Sequence, residues 1–489
     1  MKIAGSLCAM LLAVPICLGA APSPVKLPET APAPIALDPT LPRGVVIERL
    51  AATQNPSLTY ALYIPTGYRP EQPAPILYAF DARGNAKDLT ARLRAGAERY
   101  GWIVASPYAA SNRIAMEDNF EIMSGLWADT HARLAVNDRR VYAFGFSGLT
   151  RFVCMLGLTA PESLAGVIAA AGGFPLGHPP TRDTPFPFYA TVGDKDFNYY
   201  ELLDLDAKLA ALGVPHHVEV FPGPHEWPPE AQATAALGWM ELQAMKHGTR
   251  AKSPELIAAL WDEARAQAQA LEAGGKPVDA VRAYTALAAD FAGLREAKDL
   301  NEAAQRRAVL EASAAFQRER QARAERDSRD RDYLERVPKI LAAASPETRE
   351  DSLGQALNAL SIADLKHRAV SSPDPEDRLS AERLLSAVYV QAALHLPQEA
   401  AERKQYDRAI FDLQIAGEID PDLPQIPFRL AVTWAQKGDR RKALDALALA
   451  VEKGWSDLLA MESERALDTI RQSEEYRTII GQMMRRKRR

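Results

Sequence analysis

Cysteine is almost missing. The chain has 489 residues and three cysteines, and two of these, Cys8 and Cys17, fall in an apolar N-terminal segment. That leaves Cys154 alone, so the remainder has no internal disulfide. Its setting, "FVCMLG", marks it as a small buried residue. An excess of charge of one sign is also lacking. Fifty-eight basic against 63 acidic side chains give a formal net charge of −5, which offers nothing to a nucleic-acid partner. Past the N-terminal segment no apolar run is long enough to cross a bilayer, so no integral membrane segment is expected once that segment is removed.

What is present at the N-terminus has an order of its own. "MKIAGSLCAMLLAVPICLGAA" runs from one early lysine through a short apolar stretch to small residues at Gly19, Ala20 and Ala21. This is the n-region, h-region and cleavage-site order of a secretory signal, and we read residues 1–20 as a signal peptide, with an uncleaved anchor as the alternative. The protein is therefore expected to be exported, periplasmic or secreted. Residues 21–43, "APSPVKLPETAPAPIALDPTLPR", are too rich in proline to pack as helix or central strand, and read as an extended linker.

Residues 44–248 alternate between two periodicities. "VVIERL" and "LTYALYIP" have the period-two look of half-buried strands, whereas "PILYAF" is the continuous apolar run of a strand covered on both faces. Amphipathic helices such as "LTARLRAGAERYG" and "YYELLDLDAKLAALG" separate further strands, among them "RVYAFGF", "FPFYATV" and "HHVEVF". Strands alternating with helices predict a doubly wound, mostly parallel α/β sheet. Beyond residue 250 the strands stop, and an all-α half is expected in two parts, 251–345 and 346–489. Near the end a period of about 34 residues is visible. Ala431, Trp434, Ala443 and Ala450 take the small and large positions of one helical hairpin, Ala409, Ala416 and Pro421 belong to the unit before, and Ala280 and Tyr284 mark a partial earlier unit. The highly charged "AAFQRERQARAERDSRDRDYLERV" reads as a solvated spacer helix, and "MMRRKRR" as a frayed basic terminus.

In a parallel sheet, ligands gather beyond the carboxyl ends of the strands, which sorts candidate residues by edge. Ser147 directly follows the strand "VYAFGF" at a sharp strand-to-helix corner, where its hydroxyl is exposed and the Gly148 amide is a natural oxyanion donor. A serine hydroxyl needs a base. His216 and His217 precede their strand and lie at the wrong edge, roughly 15–20 Å away. His225, in "FPGPHEWPP", follows that strand and arrives at the right one, with His178 a weaker alternative. The histidine needs a carboxylate. "GDKDFN" offers Asp194 and Asp196, either of which could instead cap the next helix, and the reach beyond Gly193 favours Asp196. The second oxyanion amide is expected after "PILYAF", at Asp81 or Ala82. Tyr108, Trp127 and Trp227 are candidate substrate-binding walls, although a large aromatic is equally a core residue.

The chain order Ser147, Asp196, His225 is that of the α/β-hydrolase arrangement. With "VYAFGFSG", "GDKDFN" and "GPHEWP", the region resembles secreted α/β-hydrolases of the esterase and polyhydroxybutyrate-depolymerase-like group. That resemblance implies a serine hydrolase acting on small-molecule or oligomeric carboxylic esters without a metal or cofactor. The helical half resembles tetratricopeptide repeats, which implies a peptide or protein partner. The competing reading is a periplasmic scaffold whose hydrolase-like domain is inactive. One departure favours it: the family pattern is G-x-S-x-G, and Leu149 stands at the second glycine. A side chain there is expected to shift the helix or fill space beside the serine. A displacement of about 1 Å costs up to about a hundredfold in rate.

Overall fold

The computed structural model describes residues 38, 40–344 and 351–487. The signal-like segment 1–20 and most of the proline-rich stretch lie outside them. Asp38, within the proline-rich stretch, places its carboxylate 3.3 Å from Arg133. No helix among the described residues is long and apolar enough to cross a membrane.

Eight strands form one sheet: β1 (Val46–Ala51), β2 (Thr59–Tyr63), β3 (Ala74–Phe80), β4 (Ile103–Pro107), β5 (Val136–Phe146), β6 (Gly166–Ala170), β7 (Phe188–Gly193) and β8 (His216–Phe221). Their spatial order is β1-β2-β4-β3-β5-β6-β7-β8. β2 runs antiparallel to both β1 and β4, and every pair from β4 to β8 is parallel. Between them run α1 (Ala86–Tyr100), α2 (Met116–Arg133), α3 (Leu149–Thr159) and α4 (Tyr199–Leu212), and after β8 comes α5 (Glu230–Lys246). This is the α/β-hydrolase fold.

Period-two geometry explains the uninterrupted apolar runs. Successive side chains of a strand face opposite sides, so a strand covered on both faces is apolar throughout. In β5, Val141 and Ala143 join the core under α2, α3 and α4, while Tyr142, Phe144 and Phe146 join the core under α1 and α5. Cys154 lies on α3 in the first of these cores, fully buried and free, and burial pushes its thiol well above the ordinary range.

The helical half comprises α6 (Pro254–Ala273), α7 (Pro277–Asp290), α8 (Ala297–Glu311), α9 (Ala314–Ala343), α10 (Ser352–Ala359), α11 (Ile362–Ser371), α12 (Pro375–Val390), α13 (Leu396–Glu402), α14 (Tyr406–Ile419), α15 (Gln425–Lys437), α16 (Arg440–Glu452), α17 (Leu458–Ser463), α18 (Asp468–Arg471) and α19 (Glu474–Lys487). Ala431, Ala443 and Ala450 are fully buried or nearly so where α15 and α16 pack, as are Ala409 and Ala416 on α14. Two expectations fail here. The charged helix α9 is not a solvated spacer: Arg326, Asp330, Tyr333 and Val337 are buried. Its charges are neutralised across interfaces, Arg331 by Asp204 of α4 at 2.6 Å and Arg323 by Asp279 of α7 at 2.8 Å. Nor is the basic terminus frayed as far as Arg486, whose guanidinium donates to the carbonyls of Val451 and Glu452 at the end of α16 at 2.8 and 2.6 Å.

The two halves share buried polar contacts. Asp290 of α7 accepts from Trp239 Nε1 of α5 at 2.7 Å and meets His217 Nδ1 of β8 at 3.0 Å. Burial disfavours the His217 cation, but the hydrogen bond and charge of Asp290 outweigh it and hold its pKa above the ordinary value. Removing the carboxylate leaves an indole N–H and an imidazole without their partner. Asp290→Ala is expected to lower the unfolding free energy by about 2 kcal/mol in urea denaturation. A raised histidine pKa stabilises the fold in full below the unfolded value of 6.5, and this contribution is lost as pH rises through the folded value. The gap between wild type and Asp290→Ala is therefore wider at pH 6 than at pH 9, two conditions chosen to bracket about 6.5; an equal gap would refute the pairing.

Candidate active site

β3, β5, β7 and β8 all end at the same edge of the sheet, and the loops that follow them meet there. The corner after β5 is the sharpest. Ser147 has a φ of +57°, a left-handed conformation that costs a non-glycine residue on the order of 1–3 kcal/mol. Neighbouring contacts hold it. Its N–H donates to the Ala170 carbonyl at 2.8 Å, and its own carbonyl accepts from Thr150 N at 3.0 Å and Thr150 Oγ1 at 2.7 Å. The turn brings the backbone of α3 against β5 so closely that a Cβ at Gly145 would fall on the Leu149 carbonyl. Glycine is required there because the chain doubles back, not for φ.

His225 lies in the loop after β8. Its Nε2 is 2.9 Å from Ser147 Oγ, and its Nδ1 is 2.8 and 2.9 Å from the two carboxylate oxygens of Asp196. Asp196 and His225 are buried, and Ser147 is half-exposed. The ring of Phe197 stacks on the imidazole at 4.2 Å, and Phe146 lies 5.3 Å from it. Asp196 Oδ1 also accepts from the Asn198 amide at 2.8 Å, which orients the carboxylate within its own turn.

The acid turn and the base loop touch backbone to backbone. A Cβ at Gly193 would fall on the carbonyls of Gly223 and Pro224, so only glycine lets the two loops approach. Asp194 is occupied at this junction. It accepts from the Gly223 amide at 3.0 Å, and burial raises its pKa. Of the two aspartates, Asp196 faces the histidine.

The loop after β3 is held by the Asp81 carboxylate, which accepts from the amides of Arg83 and Asn85, each at 2.9 Å, and from Trp227 Nε1 at 3.0 Å. The Ala82 carbonyl accepts from the Asn112 amide at 3.0 Å. The N–H groups of Asp81, Ala82 and Gly148 donate to no acceptor among the described residues. Such amides, beside an exposed hydroxyl, are the kind of donor a developing oxyanion uses.

The remaining sequence candidates separate. Trp227 bridges the loops after β3 and β8, with its ring edge-on to Phe146 at 6.3 Å. Trp127 is a correction. It is buried on α2, stacked on His131 at 4.4 Å and Tyr78 at 5.8 Å, and so belongs to the core. Tyr108 turns toward the edge strand: its hydroxyl donates to the Glu48 carbonyl, and the Arg49 guanidinium lies 3.9 Å over its ring. It lines a surface hollow of about 430 Å³ with Glu48, Arg49 and Lys87. His178 makes a turn contact to Pro175. His216 and His217 sit at the start of β8 and bind Asp206 and Asp290.

Leu149 neither crowds the serine nor spoils the corner. It is buried in the core with Phe152, Val153 and Leu156, and the Ser147–His225 contact forms with the leucine in place. Three further residues enter the site. Asn112, just beyond β4, presents its carboxamide to Gly148, where a Cβ would lie 2.5 Å from it. The strand-end rule would have flagged it. Phe197 lies inside the acid motif itself. Arg383 of α12 donates to the Asp194 carbonyl at 2.8 Å, and nothing local announces it.

No protein-family model matches the chain, and no curated protein matches it in sequence. Among solved structures it is similar to an S-formylglutathione hydrolase from Staphylococcus aureus (14% identity, 42% of this chain and 99% of that one, TM-score 0.33). It is also similar to a feruloyl esterase module from Clostridium thermocellum (15%, 45% and 95%, TM-score 0.34) and to the esterase LipW from Mycobacterium marinum (18%, 41% and 81%, TM-score 0.30).

Placing glycine at position 149, to give G-x-S-x-G, removes a buried side chain. Leu149→Gly is expected to lower the unfolding free energy by about 3–5 kcal/mol, measured by urea denaturation. A loss below about 1 kcal/mol would contradict the burial described for this side chain.

Proposed function

We propose that the chain is a serine hydrolase that cleaves carboxylic esters through an acyl-enzyme on Ser147. The observation that carries this reading is the unbroken relay from Ser147 Oγ through His225 Nε2 and Nδ1 to Asp196, at 2.9 and 2.8 Å. Three residues from three separate loops meet in hydrogen-bonding order, with the hydroxyl at the accessible end.

In this reading His225 Nε2 takes the hydroxyl proton as Ser147 Oγ attacks the ester carbonyl carbon. Asp196, opposite Nδ1, favours the imidazolium that forms and fixes which nitrogen faces the serine. The carbonyl π electrons move onto oxygen, and the amides of Gly148 and of Asp81 or Ala82 receive that charge. One such donor is worth about 10²–10³ in rate. When the intermediate collapses, the alcohol leaves with the proton from His225, and Ser147 stays acylated. Water then gives a proton to His225 and attacks the acyl carbon. The second intermediate collapses with cleavage of the bond from the acyl carbon to Ser147 Oγ, His225 returns its proton to that oxygen, and the acid departs. Trp227, between the loops after β3 and β8, serves as a wall of the substrate site. The signal-like order of residues 1–20 supports an exported, periplasmic or secreted enzyme.

Two measurements test this. A fluorophosphonate probe is expected to label wild type and not Ser147→Ala, and turnover of nitrophenyl esters of increasing acyl length is expected to vanish in the same variant. Labelling that persists in Ser147→Ala would rule out this nucleophile. Asp196→Asn is expected to lower kcat by about 10³–10⁴, because the amide leaves the imidazole in the wrong tautomer. Asp194→Asn, which keeps an acceptor for the Gly223 amide, is expected to lower kcat less than about tenfold, less than a one-donor loss. The reverse order would reassign the acid.

A further inference from the structure

The six-residue turn Gly193–Asn198 carries Asp196, and the helical half grips it at three points. Arg383 of α12 donates from Nη1 to the Asp194 carbonyl at 2.8 Å. Its neighbour Glu382 pairs with Lys195 at 2.7 Å. Phe197 packs against the hydrophobic core of the helical half on one side and stacks on His225 on the other. The catalytic carboxylate and its imidazole are thus bordered by residues bound to the second half of the chain.

Arg383 is built into place. Its side chain is about 5% exposed, and its guanidinium lies 4.4 Å over the Tyr199 ring. Nη2 faces the buried Asp330 carboxylate of α9 at 3.7 Å. Asp330 in turn accepts from Tyr200 Oη at 2.6 Å and Ser380 Oγ at 2.7 Å. A cation buried this deeply, paired to a fixed anion and stacked on a ring, has one orientation. The donor it aims at Asp194 is therefore a rigid strut, and Asp194 is two residues from the carboxylate that faces His225.

We propose that Arg383 is a positioning residue for the hydrolytic reaction, and that the helical half holds the acid turn in register with the base. Arg383 touches neither substrate nor triad side chain. It acts through the backbone at 194, and the bond from Asp194 to Gly223 carries the restraint on to the base loop. Hydrogen bonds within the hydrolase half tie the same turn from the other side: Asn198 Nδ2 to the Ala171 carbonyl at 2.8 Å, and Lys195 N to the Gly223 carbonyl at 2.9 Å. Without the strut the carboxylate is free to drift by a fraction of an ångström, which matters for the chemical step and not for substrate capture.

The inference rests on Ser147 being the nucleophile, and the test separates the two. Full-length wild type, Ser147→Ala, Arg383→Met, Arg383→Lys and Lys195→Met are compared on p-nitrophenyl acetate, with thermal unfolding run on each. Wild type that neither turns over the ester nor takes a fluorophosphonate on Ser147 sinks the hydrolase reading and this inference with it. With wild type active, Arg383→Met is expected to lose about ten- to a hundredfold in kcat while KM stays within about threefold. Arg383→Lys, which keeps the charge opposite Asp330, is expected to recover part of that loss. Lys195→Met removes only the exposed end of the grip and decides the matter should Arg383→Met fail to fold; it is expected to lower kcat about three- to tenfold, a smaller misplacement. A kcat within about twofold of wild type in the folded variants, or a loss confined to KM, overturns the inference while leaving the hydrolase reading intact.

Discussion

The imidazole of His225 is fixed on every side, and the rest of the site depends on that. Both ring nitrogens are engaged, one by Asp196 and the other by Ser147. Phe197 covers one face, and Phe146 approaches at a tilt. A ring held this way cannot rotate away from the serine, and it needs little reorganisation when a proton moves. The supporting loops follow from the same requirement. Gly193 permits the acid turn to touch the base loop, the Asp194 carboxylate ties the two together, and Trp227 joins the base loop to the loop after β3. Each contact removes a freedom that the imidazole would otherwise have.

The two halves of the chain are joined by buried charge as well as by an apolar cluster in which Leu242 and Met245 of α5 pack with Ile257, Leu260 and Trp261 of α6. Asp290 and Asp330 are buried carboxylates where the halves meet, and each gathers donors from separate elements: indole and imidazole at Asp290, phenol, hydroxyl and guanidinium at Asp330. Buried ion pairs contribute little net stability, because desolvation offsets their attraction, but they tolerate only one geometry. The halves are thus fixed in one orientation. That accounts for α9, whose sequence is too charged for a core helix and whose residues nevertheless sit between α4 and α12. Arg331 and Asp330 are matched to partners on those helices and Arg323 to Asp279 of α7, and a pattern of apolar spacing has no means of showing it.

Much of the sheet was legible from periodicity. Val141 to Phe146 reads as a buried strand because every position is apolar, and the structure shows alternate positions feeding opposite cores. The edge rule put Ser147, Asp196 and His225 at one rim and His216 and His217 at the other, because it needs only the direction of each strand. Other features required the third dimension. Trp127 lies on α2 and Trp227 in the loop after β8, and packing shows that the first ring is in the core and the second bridges two loops at the rim. The choice between Asp194 and Asp196 turned on reach past Gly193, which a sequence hints at, and on the Gly223 amide, which it does not. Leu149 breaks a motif yet lies in the core, since the close approach at the corner is carried by Gly145. Arg383 had no local signal, because its partner is 189 positions away along the chain.

That separation has a temporal consequence. The ribosome delivers the nucleophile corner first, then the acid turn and the base loop, while the strut that meets Asp194 is still unmade. More than a hundred and fifty further positions must emerge after the base loop before Arg383 can dock. During that interval a nascent chain holds Ser147, Asp196 and His225 without the Arg383 contact to the turn that carries Asp196. The proposed hydrolase is thus completed late in synthesis, as a property of the finished polypeptide.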